Sequence, residues 1–408
     1  MTRTDQHPSR YRWVIVAAAS AMLAIAMGEL VNGLSPFFTT LEAEFGWSRS
    51  EVAFINTAGL IGLSLGGIVL GFAADRFNTR AVVLTGAVVT GLSILAASQA
   101  TALWQLYALF FVAGALGGGA LFAPLFALVG TWFRTGAGLA IGIAAAGQAI
   151  GQGGIPFANA LLIGGLGWRG AFLALGAFSL VTLVPLALLL RKPAAEPHSA
   201  GQTADEEAPA PLKLGTVVVM LSAAVLFCCS LMSVPLMHLV PLIQGRGIPA
   251  PEAGSVVLLM MIVAIGGRVA FGQLSDLIGA IPAYLTASAW QTALVFVFTQ
   301  IGELNNFYIF APIYGFGYAG VMTGVLSTIR ALTPADRRAT ASGIILAFAW
   351  AGHGLGGFLG GMFFDMTGAY TVTFAAAAAA GVANLMIVGA LWRRVAVANR
   401  QPAPAFSA

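Results

Sequence analysis

The sequence predicts an all-α integral membrane protein with about twelve transmembrane helices in two parallel six-helix repeats. Three observations carry that prediction. Only 8% of the 408 residues are charged and 59% are hydrophobic, whereas a soluble domain carries roughly 25% charged residues. Many apolar runs exceed the about 18 residues that mark a bilayer-spanning helix. A shift of 201 residues also lays one half of the chain on the other.

The spans, in order, are Trp13–Phe38, Glu51–Ala73, Ala81–Ser98, Trp104–Trp132, Gly138–Ile163 and Ala171–Leu190. After a polar gap come Thr216–Ile243, Ala253–Leu274, Pro282–Ile301, Tyr308–Ile329, Ser342–Phe364 and Val372–Leu391. Gly and Ala are frequent in them, which lets helix backbones approach closely in lipid. The first apolar run is too long for a cleavable signal peptide, and further spans follow it. The gap, "RKPAAEPHSAGQTADEEAPAPLK" (Arg191–Lys213), is rich in Pro, Ala and acidic residues and holds nothing that could form a core. It reads as a cytoplasmic linker between an N-terminal half, residues 1–190, and a C-terminal half, residues 214–408. Cys228 and Cys229 are adjacent in an apolar helix and read as small packing residues rather than a disulfide framework.

Basic residues orient the chain. With the N-terminus inside, inner segments hold fifteen Lys and Arg and outer loops hold three, namely Arg49, Arg169 and Arg246. Arg268 is the remaining one of the 19. The formal charge of +4 is therefore a topology signal. No basic face is interleaved with aromatics, so nucleic acid is not expected as a partner. The expected setting is the cell inner (plasma) membrane, with both termini cytoplasmic and the lipid bilayer as surroundings.

The 201-residue offset holds without drift. It pairs Gly46 with Gly247, Glu51 with Glu252, Gly71 with Gly272, Asp75 with Asp276, Gly142 with Gly343, Gly151 with Gly352 and Gly167 with Gly368. The acidic pairs at loop edges weigh more than the glycines, which number 51. Between the second and third spans lies "GFAADRFNTR" (Gly71–Arg80), with a degenerate copy "GQLSDLIGA" in the second half. The repeat and the loop resemble the layout and signature of the major facilitator transporters. The resemblance places Gly71, Asp75, Arg76, Arg80 and the second-half Asp276 at a conformational seam on the cytoplasmic side. There a carboxylate can accept from a helix N-terminus whose dipole favours an anion.

Three further stretches, "EFGWSRSEVA", "GLAIGIAAAGQAIG" and "HLVPLIQGRGIP" leading to "GGRVAFGQLSD", resemble the bacterial monocarboxylate-transporter-like branch near the oxalate–formate antiporters. That resemblance implies alternating-access transport of a small organic anion, a monocarboxylate by class. Protons would be the candidate co-substrate, with no enzymatic chemistry and no cofactor or metal.

Arg268 then acquires a meaning. It lies about 22 Å along the eighth span at 1.5 Å per residue, inside a hydrocarbon core of about 30 Å. A charge there costs about 2.5 kcal/mol or more unless it faces the protein interior and finds a partner. On its own helix the i±3 and i±4 positions are Ala264, Ile265, Phe271 and Gly272, none acidic. In the resembled family an arginine at this place binds the substrate carboxylate. A guanidinium suits that role because its planar fork matches two carboxylate oxygens and stays charged. The alternative is an arginine that snorkels or packs between helices.

The resembled family's animal members also carry an aspartate one turn earlier and a lysine in the first helix. Here these are Ala264 and the lysine-free "GELVNGLSPFF". Glu29, the only acid deep in a span, is the substitute for proton coupling, because apolar surroundings disfavour its charged form. It could equally be a neutral hydrogen-bonded acid or a static partner of Arg268.

Weaker substrate-binding candidates are Tyr314 and Tyr318, Gln148 and Gln152, His353 and Asn32. The tyrosines and the glutamines each have i, i+4 spacing, and His353 occupies the repeat position of Gln152. Asn56 and Asn159 read first as interhelix hydrogen-bonding groups, and His238 as a group near the outer surface that could gate it. Two other functions compete. A drug–proton antiporter of the same superfamily would carry a Gly-Pro in the fifth helix, where Gln152 stands in "GQAIGQGGIPF". A non-transporting membrane receptor or sensor would be expected to bear an appended soluble domain.

Overall fold

A computed structural model describes residues 10–76, 78–133, 137–191, 212–334 and 337–399, and among these residues every regular element is helical. The first half supplies α1 (Tyr11–Phe45), α2 (Arg49–Arg76), α3 (Thr79–Ala97), α4 (Leu103–Thr131), α5 (137–166) and α6 (168–189). The second supplies α7 (Leu214–Gln244), α8 (Ala250–Ile278), α9 (Ala280–Gln300), α10 (Leu304–Leu332), α11 (Arg338–Thr367) and α12 (Tyr370–Ala398). Eleven helical stretches are long and apolar enough to cross a membrane, and Gly167 divides one of them. About twelve spans were expected. The linker expected at Arg191–Lys213 lies almost wholly outside the described residues, as does Arg134.

The repeat is visible in the backbone. Gly46 and Gly247 have φ of 69° and 81°, and Gly167 and Gly368 have φ of 69° and 68°. Each pair is separated by 201 residues. A left-handed φ is open to glycine and strained for other residues, so both halves turn with the same device at the same places.

By packing, the chain divides into two compact units. One takes the described part of Met1–Glu196 together with Leu236–Ile262, and the other takes the described part of Pro197–Pro235 and Val263–Ala408. In the first unit α1 is jointed. An α-helical rod, Tyr11–Met27, passes into a π-helical turn, Gly28–Asn32, then a 3₁₀ turn, Ser35–Phe37, and a last α-helical tip, Phe38–Phe45. Pro36 lacks the N–H that a regular helix would need there. The carbonyls loosened by the joint are taken up by side chains. Asn56 Nδ2 donates to the Leu30 and Val31 oxygens at 2.6 and 3.0 Å, and Asn159 Nδ2 donates to the Gly33 oxygen at 2.9 Å. Lipid offers no water for this task, so the two asparagines are structural necessities.

Below the joint, α1 lies backbone-to-backbone on α5. A side chain at Gly147 would collide with the Ser20 carbonyl, and one at Gly151 with the Ala24 carbonyl. Glycine is required here for proximity, and the gain is dispersion rather than water exclusion. Above the joint, Phe37 stacks on Phe172 at 4.2 Å within a buried apolar cluster that also contains Leu34, Phe38, Phe110 and Met237. The Leu236–Ile262 hairpin seats on α5, where Leu258 Cα lies 3.0 Å from the Cβ position of Gly153 and Phe157 Cα 3.1 Å from that of Gly254. His238 is fully buried and stands edge-on to Phe38 at 5.6 Å. It was expected near the outer surface as a possible gate; its side chain is enclosed by this unit.

In the second unit α7 and α11 repeat the α1–α5 contact. Side chains at Gly352 and Gly356 would meet the Leu226 and Ser230 carbonyls. Helix α10 presents Gly317, Gly320 and Gly324 to Trp290, Phe271 and Tyr284 respectively.

Candidate functional site

The second unit gathers Arg268, Tyr314 and Tyr318. Gly267 lets α8 cross α10 so closely that any side chain there would strike the Phe316 carbonyl, and the Phe271 ring covers Gly320. That crossing brings Arg268, which is partly buried, within electrostatic reach of the buried Tyr318 on α10. One turn away, Tyr314 is fully buried, with its ring 6.1 Å from that of Tyr318 and its hydroxyl without a hydrogen-bond partner. The result is a guanidinium near one phenol, with a second phenol one turn farther along the same helix. A carboxylate could take two parallel N–H bonds from such a fork and further O–H bonds from such phenols. His353, on α11 of the same unit, is buried against Trp350 with ring centroids 6.3 Å apart, and its Nε2 has no hydrogen-bond partner. Both cysteines are buried in α7 and unbridged.

The first unit holds the other candidates. Glu29 sits in the π-helical turn of α1, 2% exposed, and accepts a hydrogen bond from the Ser179 hydroxyl on α6 through Oε1. Its Oε2 is buried and without a hydrogen-bond partner. Ser179 was not foreseen: it lies 150 residues away, and a serine in an apolar helix gives no signal of its own. Asn32 donates to the main-chain oxygen of Gln152, so these two candidates are tied to each other, while its Oδ1 stays buried and unsatisfied. Gln148 is partly buried with an unsatisfied Nε2. Asn56 and Asn159 hold the α1 joint, the interhelix role expected of them.

At the expected seam loop, α2 ends at Arg76 and α3 begins at Thr79. Asn78 caps α3 by accepting from the Arg80 N–H at 3.0 Å, and Thr79 Oγ1 donates to the Ala74 oxygen at 3.3 Å. Arg76 is exposed, Arg80 half-buried and Asp276 exposed near the end of α8. Gly71 lies in α2, as does Asp75, whose side chain falls outside the described residues.

The chain is built of membrane-length helices in two sets related by the 201-residue repeat. The family model "Major Facilitator Superfamily" matches residues 14–304, and the chain belongs to that superfamily. Curated relatives include monocarboxylate transporter 13 of Rattus norvegicus, 26% identical over 383 residues, 92% of this chain and 88% of the relative. Another is monocarboxylate transporter 2 of Homo sapiens, 22% identical over 400 residues, 91% of this chain and 83% of the relative. The fold is shared with a bacterial homologue of the human lysosomal transporter Spinster in an inward-facing, unoccupied conformation. That match has a TM-score of 0.73 and 17% identity, covering 97% of this chain and 100% of the other. It is shared also with the nucleoside transporter NupG, at TM-score 0.73 and 14% identity, covering 94% of this chain and 100% of the other.

Proposed function

We propose that this transporter carries a small organic anion, a monocarboxylate by class, across the cell inner (plasma) membrane by alternating access. Arg268 holds the carboxylate, and Tyr318 and Tyr314 supply hydroxyls beside it. The observation that carries the reading is the Arg268–Tyr318 arrangement at the α8–α10 crossing. The names of the full-length relatives support the class of substrate. His353, Gln148, Gln152 and Asn32 are further substrate-contact candidates, and Asp75, Arg76, Arg80, Gly71 and Asp276 remain candidates for the conformational seam. Protons are the proposed co-substrate, with Glu29 as carrier, supported by its burial and its single hydroxyl partner.

The test is flux into proteoliposomes with labelled lactate, pyruvate, oxalate and formate, with and without an imposed pH gradient. Saturable uptake of at least one of them, competed by the others but not by the corresponding amide, is expected. No uptake of any, with retained uptake of a neutral or cationic drug, would replace this reading with a drug–proton antiporter.

A further inference from the structure

The polar groups buried in the second unit form a chain that the function above does not use. Cys228 on α7 lies within electrostatic reach of Tyr314 and Tyr318, and Cys229 within reach of Tyr318. Cys228 Sγ accepts from Gln291 Nε2 of α9 at 3.7 Å and lies 4.0 Å from Met232 Sδ. Gln291 is fully buried, and its Oε1 has no hydrogen-bond partner. An amide in the middle of an apolar helix is costly unless its bonds are made inside the protein. Its presence therefore asks for a reason that packing does not supply.

The repeat gives that reason. Shifted back by 201 residues, Arg268, Tyr318, Cys228, Gln291 and Asn384 fall on Gly67, Gly117, Met27, Thr90 and Leu183. At these five positions the first unit carries two glycines, a methionine, a leucine and one threonine. There the Thr90 side chain lies directly against Gly117, and Thr90 satisfies its hydroxyl on its own helix, at the Gly86 oxygen 2.9 Å away. The repeat-equivalent neighbours in the second unit are Gln291 and Tyr318. The larger amide reaches off its helix to the α7 thiol, and a phenol stands where the first unit has a glycine. Farther along α9 the chain continues: Tyr284 Oη donates to Asn384 Oδ1 at 2.8 Å, and Asn384 Nδ2 donates to Ser288 Oγ at 3.0 Å. At Arg268, Tyr318, Cys228, Gln291 and Asn384 the second unit is thus more polar than its repeat counterparts.

We propose that Gln291 is a positioning residue for the anion site: bonded to Cys228, it fixes a thiol that lies near Tyr314 and Tyr318, and so sets the phenol beside Arg268. Gln291 does not touch the substrate. The inference rests on the reading of Arg268 as the carboxylate ligand.

The experiment uses the full-length protein purified in detergent. The probe is whichever of lactate, pyruvate, oxalate and formate raises the wild-type melting temperature most, titrated beside its neutral amide. Gln291→Leu is expected to melt near wild type without ligand. Its carboxylate affinity should fall by about three- to twentyfold, the range spanned by interhelix hydrogen bonds in lipid, with amide binding unchanged. Carboxylate affinity within about twofold of wild type would overturn the inference, since that is below the effect of an average bond of this kind. Should Gln291→Leu fail to fold, Cys228→Ala, which only shortens a side chain, is judged by the same criterion. Arg268→Ala is measured alongside. If it abolishes discrimination while Gln291→Leu and Cys228→Ala do not, only the positioning role falls. If Arg268→Ala still discriminates, the carboxylate reading falls and the positioning role with it.

Discussion

Gly151 offers a test in which ordinary helix propensity and packing have opposite signs. In an unpacked helix, Gly→Ala stabilises by about 1 kcal/mol. At Gly151 the added methyl would be driven into the Ala24 carbonyl of α1, and overpacking of this kind costs about 1–3 kcal/mol. Separating α1 from α5 would also strain the bond from Asn32 to the neighbouring Gln152 oxygen, a contribution of about 0.6 kcal/mol for a typical interhelix bond in lipid. The balance is a net loss of about 1–2 kcal/mol. At roughly 2–4 °C per kcal/mol for a cooperative unit of 150–250 residues, Gly151→Ala should melt about 2–8 °C lower. The control is Gly154→Ala on the same helix, where no atom lies within 4 Å of the new methyl; it should melt at or above wild type. Melting of purified protein followed by tryptophan fluorescence in detergent reads both. If Gly151→Ala melts with or above Gly154→Ala, the α1–α5 contact is not as close as described and the reasoning fails.

Two substitutions probe the site directly. Arg268→Lys keeps the charge but loses the planar fork, and Arg268→Ala loses both. Truncating one side of a buried charged pair costs about 2–5 kcal/mol. Because Arg268 is only partly buried, the lower end applies, at least about tenfold in carboxylate affinity. A folded Arg268→Ala protein that binds the carboxylate as wild type does would make the arginine structural. Glu29→Gln preserves an acceptor for Ser179 and should fold, but uptake should no longer respond to an imposed pH gradient; a full response in proteoliposomes would remove Glu29 as carrier.

Legibility in the sequence varies by feature. Span positions were readable because composition sets them: Trp104–Trp132 was expected and Leu103–Thr131 is found. The jointed shape of α1 was not, since a π-helical turn inserts one residue and leaves the apolar pattern intact, and hydropathy ends the span well before Phe45. Arg268 announced itself because charge at depth is costly, and the tyrosine pair because of its i, i+4 spacing. Its supporting groups were hidden for the opposite reason. Gln291, Cys228 and Asn384 are each unremarkable on their own helices, and become informative only against their counterparts at the 201-residue offset. Glu29 was found, but its hydroxyl partner on α6 depends on tertiary packing alone.

The joint in α1 has a mechanical meaning. Bending a regular helix in lipid pulls N–H and C=O groups apart where nothing can replace them, so a straight span behaves as a stiff rod. At Leu30, Val31 and Gly33 the exchange has already been made, with two asparagine amides standing in for the helix's own donors. A change of angle there swivels side-chain amides on neighbouring helices and strands no carbonyl in hydrocarbon. A bend at this joint therefore leaves fewer hydrogen bonds unmade than the same bend in a straight span would.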